Sequence, residues 1–400
     1  MMNYLRSLIL LTVLLGMNRS TLAPKDKSSK KDKSHPSSSK KNSGSSNLSA
    51  SADNSQGDKL APEDLTFELM LGQNMTSIGV KGDVYEQTVL AYVTPWNNKG
   101  YDHAKYLGAK FDIISPVWYQ LKRVNGQVEF AGLQDTDSSW MQEVRASNPA
   151  VKIVPRILFD GWKSADLNAL FASEMTQTAV VHKITTFIQS HNFDGFVCEI
   201  LLQVGFPFKN QAMHFLSHLG GLARKQNLML VVPLPAPIRE DGSPVNFFTV
   251  ADFRKLRAMV DYFNVMTYDY SSGREPGPVS PASWITSCIL YYTKDLPAVE
   301  RSKFLLGMNF YGYKYYTNNH KVEAITGTSF LELLNKHNTK TKVQWDENAM
   351  EHVFQFGSSE KVYYPTLHSV KLRLQLAEKL NVGVAIWDLG QGLDHFLNLF

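Results

Sequence analysis

From Val89 onward, short apolar runs rich in Val, Ile, Phe and Tyr alternate with stretches of helical period, and few folds accept that order. The strand-like runs are Val89–Thr94, Phe111–Val117, Val151–Leu158, Gly195–Leu201, Leu228–Leu234, Tyr262–Tyr268, Phe304–Phe310 and Val382–Trp387. Between them lie helical patterns at Ser138–Ala146, Thr176–Gln189, Asn210–Lys225, Ala251–Met259, Pro281–Tyr291 and Ser369–Leu380. Strands that are apolar on both faces need cover on both sides, which means a parallel sheet flanked by helices. Eight such units predict an α/β fold, a (β/α)8 TIM barrel rather than an open doubly wound sheet. Two stretches exceed the minimum. Residues Leu121–Gly132, with Asn125-Gly126 between strand-like flanks, predict a hairpin, and Tyr311–Pro365 predicts a small insertion between strands seven and eight.

The N-terminus has a different character. An apolar run from Leu8 to Leu15, Arg6 before it and small residues up to Ala23 predict a signal peptide over 1–23, with a start-anchored membrane helix as the alternative. Residues 24–60 are rich in Lys and Ser and too poor in apolar groups to offset their ordering entropy, so a disordered tail is expected. Residues 61–88 lead into the barrel, 89–400, with its insertion at 311–365. Ten of the 41 basic residues precede Leu60, against four of the 37 acidic ones. The folded part is therefore near neutral, and the basic isoelectric point is no argument for nucleic-acid binding. Cys198 and Cys288 leave pairing open, and Asn47-Leu48-Ser49 and Asn74-Met75-Thr76 are glycosylation sequons. No phosphate-binding glycine motif follows a strand, and the histidines lack metal-ligand spacing, so neither cofactor nor metal is expected.

Barrels of this class bind ligands at the C-terminal ends of their strands. Those ends carry Tyr92 and Trp96, Trp118, Trp162, Glu199, Tyr268 and Asp269, Tyr311, and Trp387. Aromatic faces beside a few hydrogen-bonding groups suit a sugar ring, which has apolar C–H faces and a polar rim. A lone Trp in a strand is more often a core residue, and the argument rests on several falling at one end. Glu199 interrupts an apolar run, with Val197 and Leu201 on its face by strand alternation, and a buried charge needs a partner or a task.

The motifs Asp-Gly-Phe at 194–196, Met-Thr-Tyr-Asp-Tyr at 266–270, Gly-Met-Asn-Phe-Tyr-Gly at 307–312, Val-Gln-Trp-Asp at 343–346 and the terminal-strand Trp387 resemble those of glycoside hydrolase family 18, the chitinases and chitinase-like lectins. With Tyr-Val-Thr-Pro-Trp-Asn at 92–97, the chain looks most like the chitinase domain-containing, stabilin-interacting branch. Active members carry D-G-x-D-x-D-x-E on the fourth strand. Alignment on Asp194-Gly195 places Val197 at the second acid, Glu199 at the third and Leu201 at the general acid. In these enzymes the final Glu protonates the glycosidic oxygen while the substrate's N-acetyl oxygen attacks. Leucine transfers no proton, and general acid catalysis is worth roughly 10² to 10⁴ in rate.

The resemblance implies that Tyr268 and Asp269 serve an acetamido group and that Trp387 is the sugar platform. The expected function is a secreted, non-hydrolytic lectin for chito-oligosaccharide or a related glycan, contacting it through Tyr92, Trp118, Trp162, Glu199, Tyr268, Asp269, Tyr311 and Trp387. The alternatives are a weak glycosidase using Glu199 or Asp269 and a protein-interaction scaffold with a vestigial site. The branch further implies a lysosomal route, bacterial lipopolysaccharide as a ligand and a scavenger-type receptor as a partner. On this alignment, Leu201→Glu with Val197→Asp should create activity.

Overall fold

The computed structural model describes residues 65–74, 85–271, 275–337 and 341–400. The expected signal peptide, tail, first sequon and much of the lead-in lie outside the described residues. Inside them, parallel strands follow one another in chain order around a curled sheet. β1 (Val89–Val93) leads to a second strand in two pieces, β2 (Ile113–Pro116) and β3 (Tyr119–Val124), and then to the antiparallel β4 (Gln127–Ala131). The third strand is also split, into β5 (Lys152–Ile153) and β6 (Arg156–Phe159). β7 (Gly195–Glu199), β8 (Met229–Pro235), β9 (Tyr262–Met266) and β10 (Phe304–Asn309) continue the sheet, and the last strand, β16 (Gly383–Trp387), pairs with both β10 and β1.

Register decides which side chains point inward. Tyr92 pairs with Ser115, Arg156 with Val197, Leu158 with Glu199, and Asn309 with Trp387. Leu90, Tyr92, Ile113, Val117, Val154, Val197, Val231, Leu305 and Ala385 pack together inside the sheet. The opposite faces join a larger core with the helices, for which Ser138–Ser147, Glu174–Ser190, Lys209–Lys225, Ala282–Thr293 and Leu367–Leu380 supply the apolar stripes. At the hairpin, Asn125 and Gly126 both take positive φ, 49° and 80°, as a tight two-residue turn between twisted strands requires.

The stretch after β10 forms a second, antiparallel sheet with strand order β12-β11-β15-β14-β13. Its strands are β11 (Gly312–Tyr316), β12 (Lys321–Ile325), β13 (Thr341–Asp346), β14 (Glu351–Phe356) and β15 (Glu360–Tyr363), with helix Gly327–His337 between β12 and β13. Buried Glu351 ties it back by accepting the backbone N–H groups of Val279 and Ser280 at 3.0 and 2.7 Å. Among the described residues no helix is long and apolar enough to cross a membrane.

Candidate functional site

The fourth strand begins with a fixed point. Asp194 Oδ2 accepts from Arg145 Nη2 and from the Ile153 N–H, both at 2.9 Å, which clamps a helix and the third strand to the start of β7. A Cβ on Gly195 would lie 2.2 Å from the Met229 carbonyl oxygen, so the Asp-Gly pair is a packing requirement at the end of the strand away from the mouth.

At the other end stands Glu199, 6% exposed, and its partner is Arg156, 3% exposed. Arg156 Nε donates to Glu199 Oε2 at 2.6 Å, and Gln203 Nε2 donates to Oε1 at 3.4 Å. Two groups stripped of water at adjacent strands thus neutralise each other. The chain then leaves the sheet. Ile200 is in the right-handed helical region, and Leu201 starts the short helix Leu201–Val204 and packs in the large apolar core. This corrects the expected strand Gly195–Leu201: Val197 and Glu199 share the inner face, but Leu201 does not continue it.

The Trp387 ring closes the last strand beside them. Its centroid is 5.1 Å from that of Tyr92, and the Arg156 guanidinium carbon lies 5.8 Å from it, within cation–π range. The Tyr92 hydroxyl accepts from Asn264 Nδ2 at 3.1 Å. Trp387 also packs on a tyrosine cluster of Tyr268, Tyr311, Tyr313, Tyr315 and Tyr363. Asp269 sits among them with φ of 63°, its Oδ1 accepting from the Tyr311 hydroxyl and, at 2.7 Å, from that of Tyr313. Burial raises the Asp269 carboxyl above its ordinary range, and the two tyrosine hydroxyls oppose that rise. Burial likewise lifts the Tyr268 and Tyr311 phenols far above theirs.

The structure therefore brings together Tyr92, Glu199, Tyr268, Asp269, Tyr311 and Trp387. It does not bring in the other two. Trp118 is 0% exposed, its indole N–H bonded to the Tyr101 hydroxyl at 2.6 Å and its ring 5.5 Å from Trp140. It lies in the break between β2 and β3, where strand alternation stops assigning faces, and it turns to the helix layer. Trp162 donates to the Leu121 carbonyl at 2.7 Å and packs 5.3 Å from Phe159. Arg156, Asn264 and Tyr313 were not foreseen. Arg156 carries the same signal as Glu199, a charge inside an apolar run, and Tyr313 follows Tyr311 at strand spacing. Among the described residues no group of His, Cys, Asp and Glu is placed to hold a metal ion.

Known proteins resemble this fold at low identity. A chitinase from Chromobacterium violaceum ATCC 12472 superposes with a TM-score of 0.66 at 21% identity, covering 78% of this chain and 97% of that one. A Cycas revoluta GH18 chitinase mutant in complex with (GlcNAc)4 does so with a TM-score of 0.65 at 16% identity, over 78% and 97%. YdhD of Bacillus subtilis (strain 168), named as a sporulation-specific glycosylase, is 19% identical over 265 residues. That match takes in 64% of this chain but only 60% of the relative's length. The sequence pattern of the glycosyl hydrolases family 18 matches residues 88–392, and the chain belongs to that family.

Proposed function

We propose that this chain is a non-hydrolytic carbohydrate-binding protein that takes a chito-oligosaccharide or related glycan at the mouth of a closed (β/α)8 barrel, beside Trp387. Closure is supported by ladders that run from strand to strand and return from β16 to β1. The observation that carries the functional reading is the Arg156–Glu199 pair. The one acid left on the inner face of β7 is occupied by a buried guanidinium, and Leu201, at the aligned general-acid position, sits in apolar core. A general acid needs a proton to give and a path to the leaving oxygen, and neither residue offers both. The half-buried Trp387 face and the Asp269 carboxylate supply stacking and polar contact. The (GlcNAc)4 complex of a similar fold supports an oligosaccharide as the ligand class.

Isothermal titration with N-acetylglucosamine oligomers tests this. Saturable binding is expected, and Trp387→Ala should weaken it by about 2 kcal/mol, the scale of a central aromatic contact. Absence of binding at millimolar ligand across several glycans would remove the proposal. A weak glycosidase is the second reading, favoured by the raised Asp269 carboxyl. Turnover of fluorogenic chitotriose that Asp269→Asn abolishes would establish it. Secretion rests on the Leu8–Leu15 run, and N-terminal sequencing of the exported protein checks it.

A further inference from the structure

Asp388 follows the Trp387 platform and is 0% exposed, yet among the described residues no cation pairs with it. Its Oδ2 accepts from the Thr94 hydroxyl at 2.7 Å and from Asn97 Nδ2 at 2.9 Å. Its Oδ1 accepts from the Gly390 N–H at 2.9 Å. Asn97 Nδ2 also donates to Thr94 Oγ1 at 3.0 Å. One carboxylate therefore joins the loop after β1 to the turn after β16. That loop carries Trp96, 42% exposed, and its Pro95 and Asn98 wall a polar cavity of about 420 Å³ with Tyr101 and Gln134–Ser138.

We propose that Asp388 is a positioning residue whose ionised carboxylate latches the Thr94–Asn97 loop beside Trp387, so that glycan binding weakens on acidification. The inference rests on the glycan-binding reading of the mouth. Every group bonded to Oδ2 is a donor. A proton placed there forces the Thr94 hydroxyl to turn and costs the Asn97 amide, which cannot accept through nitrogen, one of its two acceptors, leaving Thr94 Oγ1 alone. Burial pushes this carboxyl up to about 6, while the bonds from Thr94, Asn97 and Gly390 hold it down. The titratable groups on the surrounding elements include Tyr364, Lys99, Tyr101, Asp102, His103, Lys105, Asp394 and His395, and burial lowers the His395 ring to about 4, below the range at issue. Tyr364 donates to the Gln391 carbonyl at 2.8 Å and stays protonated, its phenol raised by burial. Asp394, held at about 2 by His103 and Lys99, stays charged throughout. A site that needs the ionised latch keeps full affinity above this midpoint and loses roughly tenfold between pH 7.5 and 5.0.

The test is titration of the full chain with the N-acetylglucosamine tetramer across that range, for wild type, Asp388→Asn and Asn97→Ala, with hydrogen exchange of the 94–98 amides in the free protein. Wild type should weaken roughly tenfold on acidification, Asp388→Asn should bind weakly and evenly at both ends, and Asn97→Ala should move the midpoint upward. A flat wild-type profile, or an Asp388→Asn profile that overlays it, overturns the latch. Should Asp388→Asn not fold, the Asn97→Ala midpoint decides alone, and an unmoved midpoint counts against. If wild type binds no sugar at any pH, the glycan reading falls and exchange judges the latch. Protection lost on acidification in wild type only sustains it; equal behaviour in wild type and Asp388→Asn overturns it.

Discussion

A guanidinium and a carboxylate that give up their water together cost little, whereas either one left alone is expensive. Removing Arg156 should therefore expose the arrangement. Arg156→Ala is expected to destabilise the fold by about 3–5 kcal/mol in urea denaturation, and the double change Arg156→Met, Glu199→Met to recover most of it. A loss below about 1 kcal/mol for the single variant would mean that the pair is not load-sharing in the core. Leu201→Glu bears on the alignment. Because Leu201 faces apolar core, the new carboxylate is buried without a partner, so a loss of several kcal/mol and no turnover of chitotriose are expected, contrary to the alignment alone. Turnover would restore the simple motif reading. Glu199 was legible from sequence as a charge in an apolar run. Its partner was not, because which residues meet across strands depends on register, and alternation within one strand does not set it.

Among elements, the strands and helices around the sheet follow closely from hydrophobic period, and the Asn125-Gly126 turn from its φ preference. The breaks between β2 and β3 and between β5 and β6 do not, since two residues outside the ladder leave the apolar pattern intact while turning Trp118 outward. The inserted sheet shows in sequence only as excess length plus tyrosines at every second position. Those tyrosines set a test. Tyr313→Phe deletes a hydrogen bond to Asp269, worth about 1 kcal/mol. Asp269 has a raised folded pKa, so its favourable contribution is full below the unfolded value and is lost as pH rises through the raised one. Loss of a donor that opposes the rise pushes it further up. The cost of Tyr313→Phe is thus expected to be larger at pH 7.5 than at pH 4, and equal costs in denaturation at both would show that Asp269 is not the group concerned.

For the molecule as a whole, the near-neutral folded part and the basic N-terminal stretch give a charge balance that says little about the site. The two cysteines, left open by the sequence, are free and buried on different elements. Burial raises both thiols, Cys288 up to about 12 and Cys198 higher still. Neither should react with a thiol reagent in the native protein, and both should react in step with global unfolding, monitored by mass spectrometry. The broken strands also interrupt one ladder of the sheet. Between the second and third strands the ladder is divided into two residue pairs at one end and three at the other. Under tension across these two strands, the two pieces would part separately, at the gap that carries Val117 and Trp118 on one side and Val154 and Pro155 on the other. The indole of Trp118, packed against Trp140 and bonded to the Tyr101 hydroxyl, then acts as a rivet that ties the interrupted strand to the helices outside it.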